Sequence, residues 1–134
     1  MADVNFTVKI ITPDRTFFEG DATMVEFNTV EGEIGVYPNH IPLTTVIAPG
    51  IVTITNEDDK KVAAVHAGFA EILGDRVTLL AEIAEWPDEI DLDRAKAAED
   101  RARERLAAKT EGLDITRAEI ALKKALVRQD IKAL

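Results

Sequence analysis

The stretch Ala84-Glu-Trp-Pro-Asp-Glu-Ile-Asp-Leu-Asp-Arg-Ala95 divides the chain into two kinds of pattern. Before it, apolar and polar residues alternate in short runs broken by Gly, Pro, Asn and Asp, the signature of half-buried strands joined by turns. After it the period lengthens: Asp91, Ala95, Ala98, Ala102 and Leu106 recur every three or four residues, a helical stripe. The charge changes at the same place. Residues 1–87 hold 5 Lys and Arg against 14 Asp and Glu, whereas residues 88–134 hold 11 of each. The coincidence sets a domain boundary at Trp86-Pro87-Asp88, with Pro87 as a hinge.

Toward the N-terminus, Phe6, Val8 and Ile10 share one face of a strand and Asn5, Thr7 and Lys9 the other. Thr12-Pro-Asp-Arg15 is a turn with proline where a type I turn favours it. Short strands follow at Thr16–Phe18 and Met24–Thr29. A hairpin runs through Ile51–Thr55 and Lys61–Val65, and a second through Phe69–Leu73 and Val77–Ala84. This spacing predicts a β-sandwich with a core of Phe6, Val8, Ile10, Val25, Phe27, Ile34, Ile51, Ile54, Val65, Ile72, Val77 and Leu79. Within it, Glu31-Gly-Glu-Ile-Gly-Val-Tyr-Pro-Asn-His-Ile-Pro-Leu43 reads as a stiff exposed platform, because Pro38 and Pro42 keep it out of a regular ladder.

Toward the C-terminus, Asp91 is placed to cap a first helix. Thr110-Glu-Gly-Leu113 interrupts, with Gly112 as the turn residue. Asp114 caps a second helix with Ile115, Ala118, Leu122 and Ala125 as its stripe. The fold class is therefore α+β: a sandwich over 1–87 followed by an antiparallel helical hairpin over 88–134. Alanine favours helix but buries little area, so the hairpin should sit loosely on the sandwich.

The 134 residues are 46% hydrophobic and 31% charged, with a formal net charge of −9. Such an acidic chain is a poor ligand for nucleic acid or anionic lipid. No stretch approaches the ~20 apolar residues a membrane-spanning helix needs, and no secretory signal is visible at the N-terminus. There is no cysteine and no serine, and the histidines are His40 and His66 alone. Disulfides, serine nucleophiles and a spaced zinc set are thereby excluded, no phosphate-binding Gly-rich loop is present, and no catalytic residue or metal ligand is expected.

On the helices, Arg103, Lys123 and Lys96 each have an acid four residues away, at Glu99, Glu119 and Asp100. Arg94, Arg101, Arg105, Lys124 and Arg128 have none. Arg94 and Arg101 share a face of the first helix, and Arg117, Lys124 and Arg128 a face of the second. Spacing alone leaves two readings: a solvated basic face, or an anion site suited to phosphate oxygens.

Four motifs in order, Glu31–Leu43, Ala67-Gly-Phe-Ala-Glu-Ile72, Val77-Thr-Leu-Leu-Ala81 and Ile90-Asp-Leu-Asp-Arg-Ala95, resemble the epsilon-subunit family of bacterial rotary proton-translocating ATP synthases. The resemblance implies a sandwich of ten strands that binds the gamma subunit and sits against the c ring, with Glu33 toward the ring and His40 toward gamma. It implies a hairpin that can extend, touch the catalytic beta subunits and block ATP hydrolysis, and that binds ATP when folded down. The ATP positions that it carries over are Glu85, Ile90, Asp91, Arg94, Ala95, Arg101 and Arg128, with Lys124 where the family has arginine. A point charge there replaces a planar fork. No prosthetic group is implied; ATP would be a regulatory ligand, with magnesium left open. The location implied is peripheral, on the cytoplasmic face of the cell membrane. A free-standing nucleotide sensor with no motor partner is the alternative, separable by whether gamma and the catalytic subunits are recovered with the chain.

Overall fold

The computed structural model describes residues 5–108 and 112–134. Eight strands precede two helices: β1 (Phe6–Ile11), β2 (Thr16–Ala22), β3 (Met24–Thr29), β4 (Gly32–Val36), β5 (Leu43–Ile47), β6 (Gly50–Asn56), β7 (Asp59–Ile72) and β8 (Arg76–Glu85), then a 3₁₀ turn at Pro87–Glu89, α1 (Leu92–Ala108) and α2 (Ile115–Lys132). The strands run in the order β2-β1-β8-β7-β5-β3-β4, with β6 pairing to both β3 and β7. All pairings are antiparallel except β1 with β8.

Strand β7 explains why eight strands suffice. The segments Lys61–Val65 and Phe69–Leu73, expected as separate strands, belong to one continuous strand of 14 residues. Along one edge it pairs with β8; along the other it pairs with β6 and then β5, laid end to end. The gap between β5 and β6 falls at Ala48-Pro49, where proline has no N–H to give a ladder. Opposite that gap, Ala67 and Gly68 take positive φ values of 59° and 128°. A side chain on Gly68 would meet the Leu80 carbonyl oxygen, so glycine is required there. The strand turns a corner at these residues. Its inward side chains are Ala63 and Val65 before the corner and Ala70 and Ile72 after it. Each layer of the sandwich thus receives half of β7, and each half shows a different outer face.

The core holds ten of the twelve expected residues, including Phe27, Ile10, Ile72 and Leu79. Ile34 and Ile51 are half-buried, and Ile51 lies under the hairpin instead. β2 continues through Gly20-Asp21, where a break was expected, and stops at Ala22.

Both helix caps form as expected. Arg94 N–H donates to Asp91 Oδ1 at 3.1 Å and Arg117 N–H to Asp114 Oδ1 at 3.0 Å. Gly112 is a turn residue with φ 82°; Thr110 and Glu111, in the same expected interruption, lie outside the described residues. The alanine stripes serve a different purpose from the one expected. Ala95 and Ala102 of α1 and Ala118 and Ala125 of α2 are buried, and they let the two helices approach each other. Ile115, placed on that stripe by its period, is exposed. The contact with the sandwich belongs to α2, which lies over β6 and β7. There Val127 and Ile131 close over Ala64 and Ile90, flanked by Ile51 and Val62.

Candidate functional site

Where β8 ends, the chain is fastened before it enters the hairpin. Trp86 stacks on Phe17 with ring centroids 4.3 Å apart. Glu89 accepts from Trp86 N–H at 2.9 Å and from Arg15 Nη2 at 2.8 Å. These bonds and the Arg15 guanidinium hold its carboxyl below the usual range. Pro87 is thus pinned to the body, and the chain leaves it at Ile90.

The cleft between this exit, α1 and α2 has a volume of about 400 Å³, within the ~300–1,000 Å³ range of small-molecule sites. Its lining includes Glu85, Ile90, Asp91, Arg94, Ala95, Arg101 and Arg128, all expected, together with Glu89 and Ala98. Lys124 does not line it. Arg117, on the same helical face by spacing, is exposed at the far end of α2.

The acids of the cleft are already engaged. Asp91 caps α1 and Glu89 holds Arg15. Glu85 Oε1 accepts from Arg128 Nε at 2.7 Å and from His66 Nε2 at 3.2 Å. Arg128 is therefore not the unpartnered cation its helix suggested; its acid lies 43 residues earlier in the chain. Burial pushes the Glu85 carboxyl up, but the hydrogen bonds from His66 and Arg128 and the guanidinium charge outweigh it and hold it below the usual carboxylate range. Arg94 and Arg101 remain. Among the described residues neither has an acid within 4 Å, and both stand exposed on the rim of the cleft. Two guanidiniums on one face with no carboxylate between them favour an anion. Of the three expected (i, i+4) pairs, only Arg103–Glu99 closes, at 2.7 Å.

His66 was not expected to act. It is fully buried on the outer side of β7, beneath α2. Burial pushes its ring down from the usual range; the Glu85 hydrogen bond opposes this and the Arg128 and Lys124 charges add to it.

The platform lies away from the cleft. Glu33 is exposed on β4, and His40 is half-buried in the loop before β5, its Nδ1–H donating to the Ile41 carbonyl at 2.6 Å. Asn39 N–H donates to the Gly74 carbonyl at 2.8 Å, which ties the loop to the β7–β8 turn. On the neighbouring outer face Val46, Phe69 and Leu80 stand side by side across β5, β7 and β8, 41%, 57% and 51% exposed. The strand pattern hinted at this row only as apolar residues out of phase with the core. Among the described residues, no cluster of three or more His, Asp or Glu could hold a metal, and no helix is long and apolar enough to cross a membrane.

Residues 5–87 match the family model described as ATP synthase, Delta/Epsilon chain, beta-sandwich domain, and residues 88–132 the one described as ATP synthase, Delta/Epsilon chain, long alpha-helix domain. The chain is 45% identical over 125 residues to the ATP synthase epsilon chain of Halalkalibacterium halodurans, covering 92% of this chain and 94% of that one. It is 44% identical over 130 residues to that of Caldanaerobacter subterraneus, covering 96% and 94%. A chain in the Euglena gracilis mitochondrial ATP synthase structure, containing OSCP, F1 and the c-ring, has a similar fold: TM-score 0.85, 22% identity, 97% of this chain and 82% of that one.

Proposed function

Since the chain belongs to the ATP synthase delta/epsilon family and is an epsilon subunit of that complex, we propose that it works as a central-stalk rotor subunit that joins gamma to the c ring and restrains ATP hydrolysis through its hairpin. It would sit peripherally, at the cytoplasmic face of the membrane. The sandwich docks through the open apolar row of Val46, Phe69 and Leu80 and the adjoining platform, with His40 toward gamma and Glu33 toward the polar loops of the ring. In the folded-down posture the hairpin binds ATP in the cleft. On release, its freed cations meet acidic segments of the catalytic beta subunits.

The observation that carries the nucleotide reading is the pair Arg94 and Arg101, exposed over a ~400 Å³ cleft whose carboxylates already have other hydrogen-bond partners. Phosphate oxygens would supply the missing partner, and Asp91 fixes Arg94 by capping the helix that carries it. Lys124 stays outside the lining, so its replacement of the family's arginine costs the site no fork within the cleft.

Calorimetry of the full chain with ATP tests this. Binding is expected, and Arg94→Ala should weaken it by about 1.5–3 kcal/mol, the scale of a hydrogen bond to a charged group. No heat at millimolar ATP, or an unchanged affinity in the variant, would remove the nucleotide from the reading while leaving the stalk role intact.

A further inference from the structure

Beneath α2 lies a titratable group that neither the nucleotide cleft nor the docking face uses. His66 has no exposed surface. Its Nε2 lies 3.2 Å from Glu85 Oε1, the same oxygen that Arg128 Nε approaches to 2.7 Å. Its Nδ1 is buried with no hydrogen-bond partner among the described residues. This geometry selects one form of the ring: neutral, with the proton on Nε2 donated to the carboxylate. An imidazolium would carry a second N–H at Nδ1, facing no acceptor, and such a buried donor is costly. The ring lies on the side of β7 that carries Ala64 and Val62, the side that α2 roofs with Val127 and Ile131. Its burial therefore depends on the hairpin being down, while its hydrogen bond stays within the sandwich, between β7 and β8, and sets the carboxylate that Arg128 of α2 grips.

We propose that His66 is a proton-operated latch between sandwich and hairpin: its neutral ring positions Glu85 to grip Arg128, and protonation of the ring releases α2. The latch rests on the hairpin detachment proposed above but not on nucleotide binding. Among the described residues, the charged groups facing the ring are Glu85 from β8 and Arg128 and Lys124 from α2. The two cations disfavour an imidazolium, and the carboxylate that favours it is already shared with Arg128.

The direction of the effect follows from burial. With α2 in place the ring's pKa lies below its ordinary value; with α2 lifted, solvent restores it toward about 6.5. A group whose pKa is depressed in the closed state stabilises that state above about pH 6.5, and its contribution is lost as pH falls through the depressed value. The docking equilibrium should thus weaken by up to about tenfold per pH unit below 6.5. Glu85, also depressed, acts in the same direction but only below the carboxylate range near 4.5, so the two windows separate.

The chain has no cysteine, so Lys60→Cys and Lys132→Cys, both exposed, can carry a fluorophore pair that reports hairpin posture in the full chain without nucleotide. Energy transfer is expected to change between pH 6.5 and 5 in the parent and to stay flat over that window in His66→Gln, whose amide still donates to Glu85 but does not titrate. Should Gln disturb folding, NMR of the His66 ring in the parent chain gives the second readout: protonation below pH 6.5, in step with loss of α2 contacts. A pH-dependent change that survives in His66→Gln, or a ring that protonates with α2 still docked, overturns the latch alone. A parent chain whose transfer is constant from pH 8 to 5 also overturns the latch and leaves the detachment proposed above standing.

Discussion

The two outer faces of the sandwich are made partly by the same strand, yet they end in opposite states. Before its corner, β7 turns Val62, Ala64 and His66 outward, and α2 covers them. After the corner it turns Phe69 outward between Val46 and Leu80, and nothing among the described residues covers that row. The covered face carries Val62, Ala64 and a buried imidazole, and its apolar seam has four buried residues, Ala64, Ile90, Val127 and Ile131, flanked by the half-buried Ile51 and Val62. The open face carries larger side chains. An intramolecular partner has a high effective concentration and needs little area to stay down; a separate subunit must offset the translational entropy of association and needs anchors. The weak seam suits an element meant to leave. The strong bare patch suits a permanent dock.

The sharpest way to break this contrast is at the seam. Ile131 is nearly fully buried between α2 and the sandwich, and Ile131→Ala should cost about 2–5 kcal/mol. If the seam is separate from the core, that cost will appear as loss of hairpin protection in hydrogen exchange, with β1, β8 and the rest of the sandwich unchanged. Global destabilisation would mean that the chain has one core and not two. On the open face the expectation reverses. Phe69→Ala should leave the thermal stability of the isolated chain within about 0.5 kcal/mol, yet weaken assembly with the central stalk by about 2–4 kcal/mol in a binding assay, as removal of an interface anchor does. A variant that melts early but assembles normally would place Phe69 in the fold and not in the interface.

The contrast was only half legible in the sequence. The change of period after Pro87 and the caps Asp91 and Asp114 are local signals, and each led to the right element. Seven of the eight residues carried over as ATP positions do line one cleft, because five of them lie within the short run from Glu85 to Ala95 and the other two recur at helical spacing on faces that the alanine contacts bring together. What failed depends on contacts between distant residues. Arg128 reads as a bare cation on its own helix, since only the docking of α2 brings it to Glu85. His66 reads as an isolated histidine because nothing nearby in sequence announces that a helix will cover it. The corner in β7 hides in Ala67-Gly68, where alanine, a residue that rarely takes positive φ, carries 59°. With the corner unseen, the strand reads as two, and the switch that puts Phe69 outward is lost.

A smaller effect tests whether the ion pair or the apolar seam holds the hairpin. Glu85 and Arg128 have side chains only 23% and 24% exposed, so Arg128→Ala should weaken docking by about 1–3 kcal/mol, less than Ile131→Ala, because His66 still satisfies one lone pair of the carboxylate. An equal or greater loss, read by the same hydrogen-exchange comparison, would make the seam mainly electrostatic.

The smallest effect separates the hairpin's own stability from its attachment. Asp114 caps α2 at the end remote from Val127, Ile131 and Arg128, and its Oδ1 satisfies one of the N–H groups that the first turn leaves bare. Asp114→Ala should therefore cost about 1 kcal/mol and fray residues 115–118, while protection at Val127 and Ile131 stays as it was. The outcome turns on how far α2 behaves as one rod. If fraying at Asp114 also unseats Ile131, alanine packing against α1 transmits the loss along the whole helix, and the hairpin leaves the body as a unit. If it does not, the last turns of α2 hold the covered face by themselves, and release must begin at the pair that Glu85 makes with Arg128.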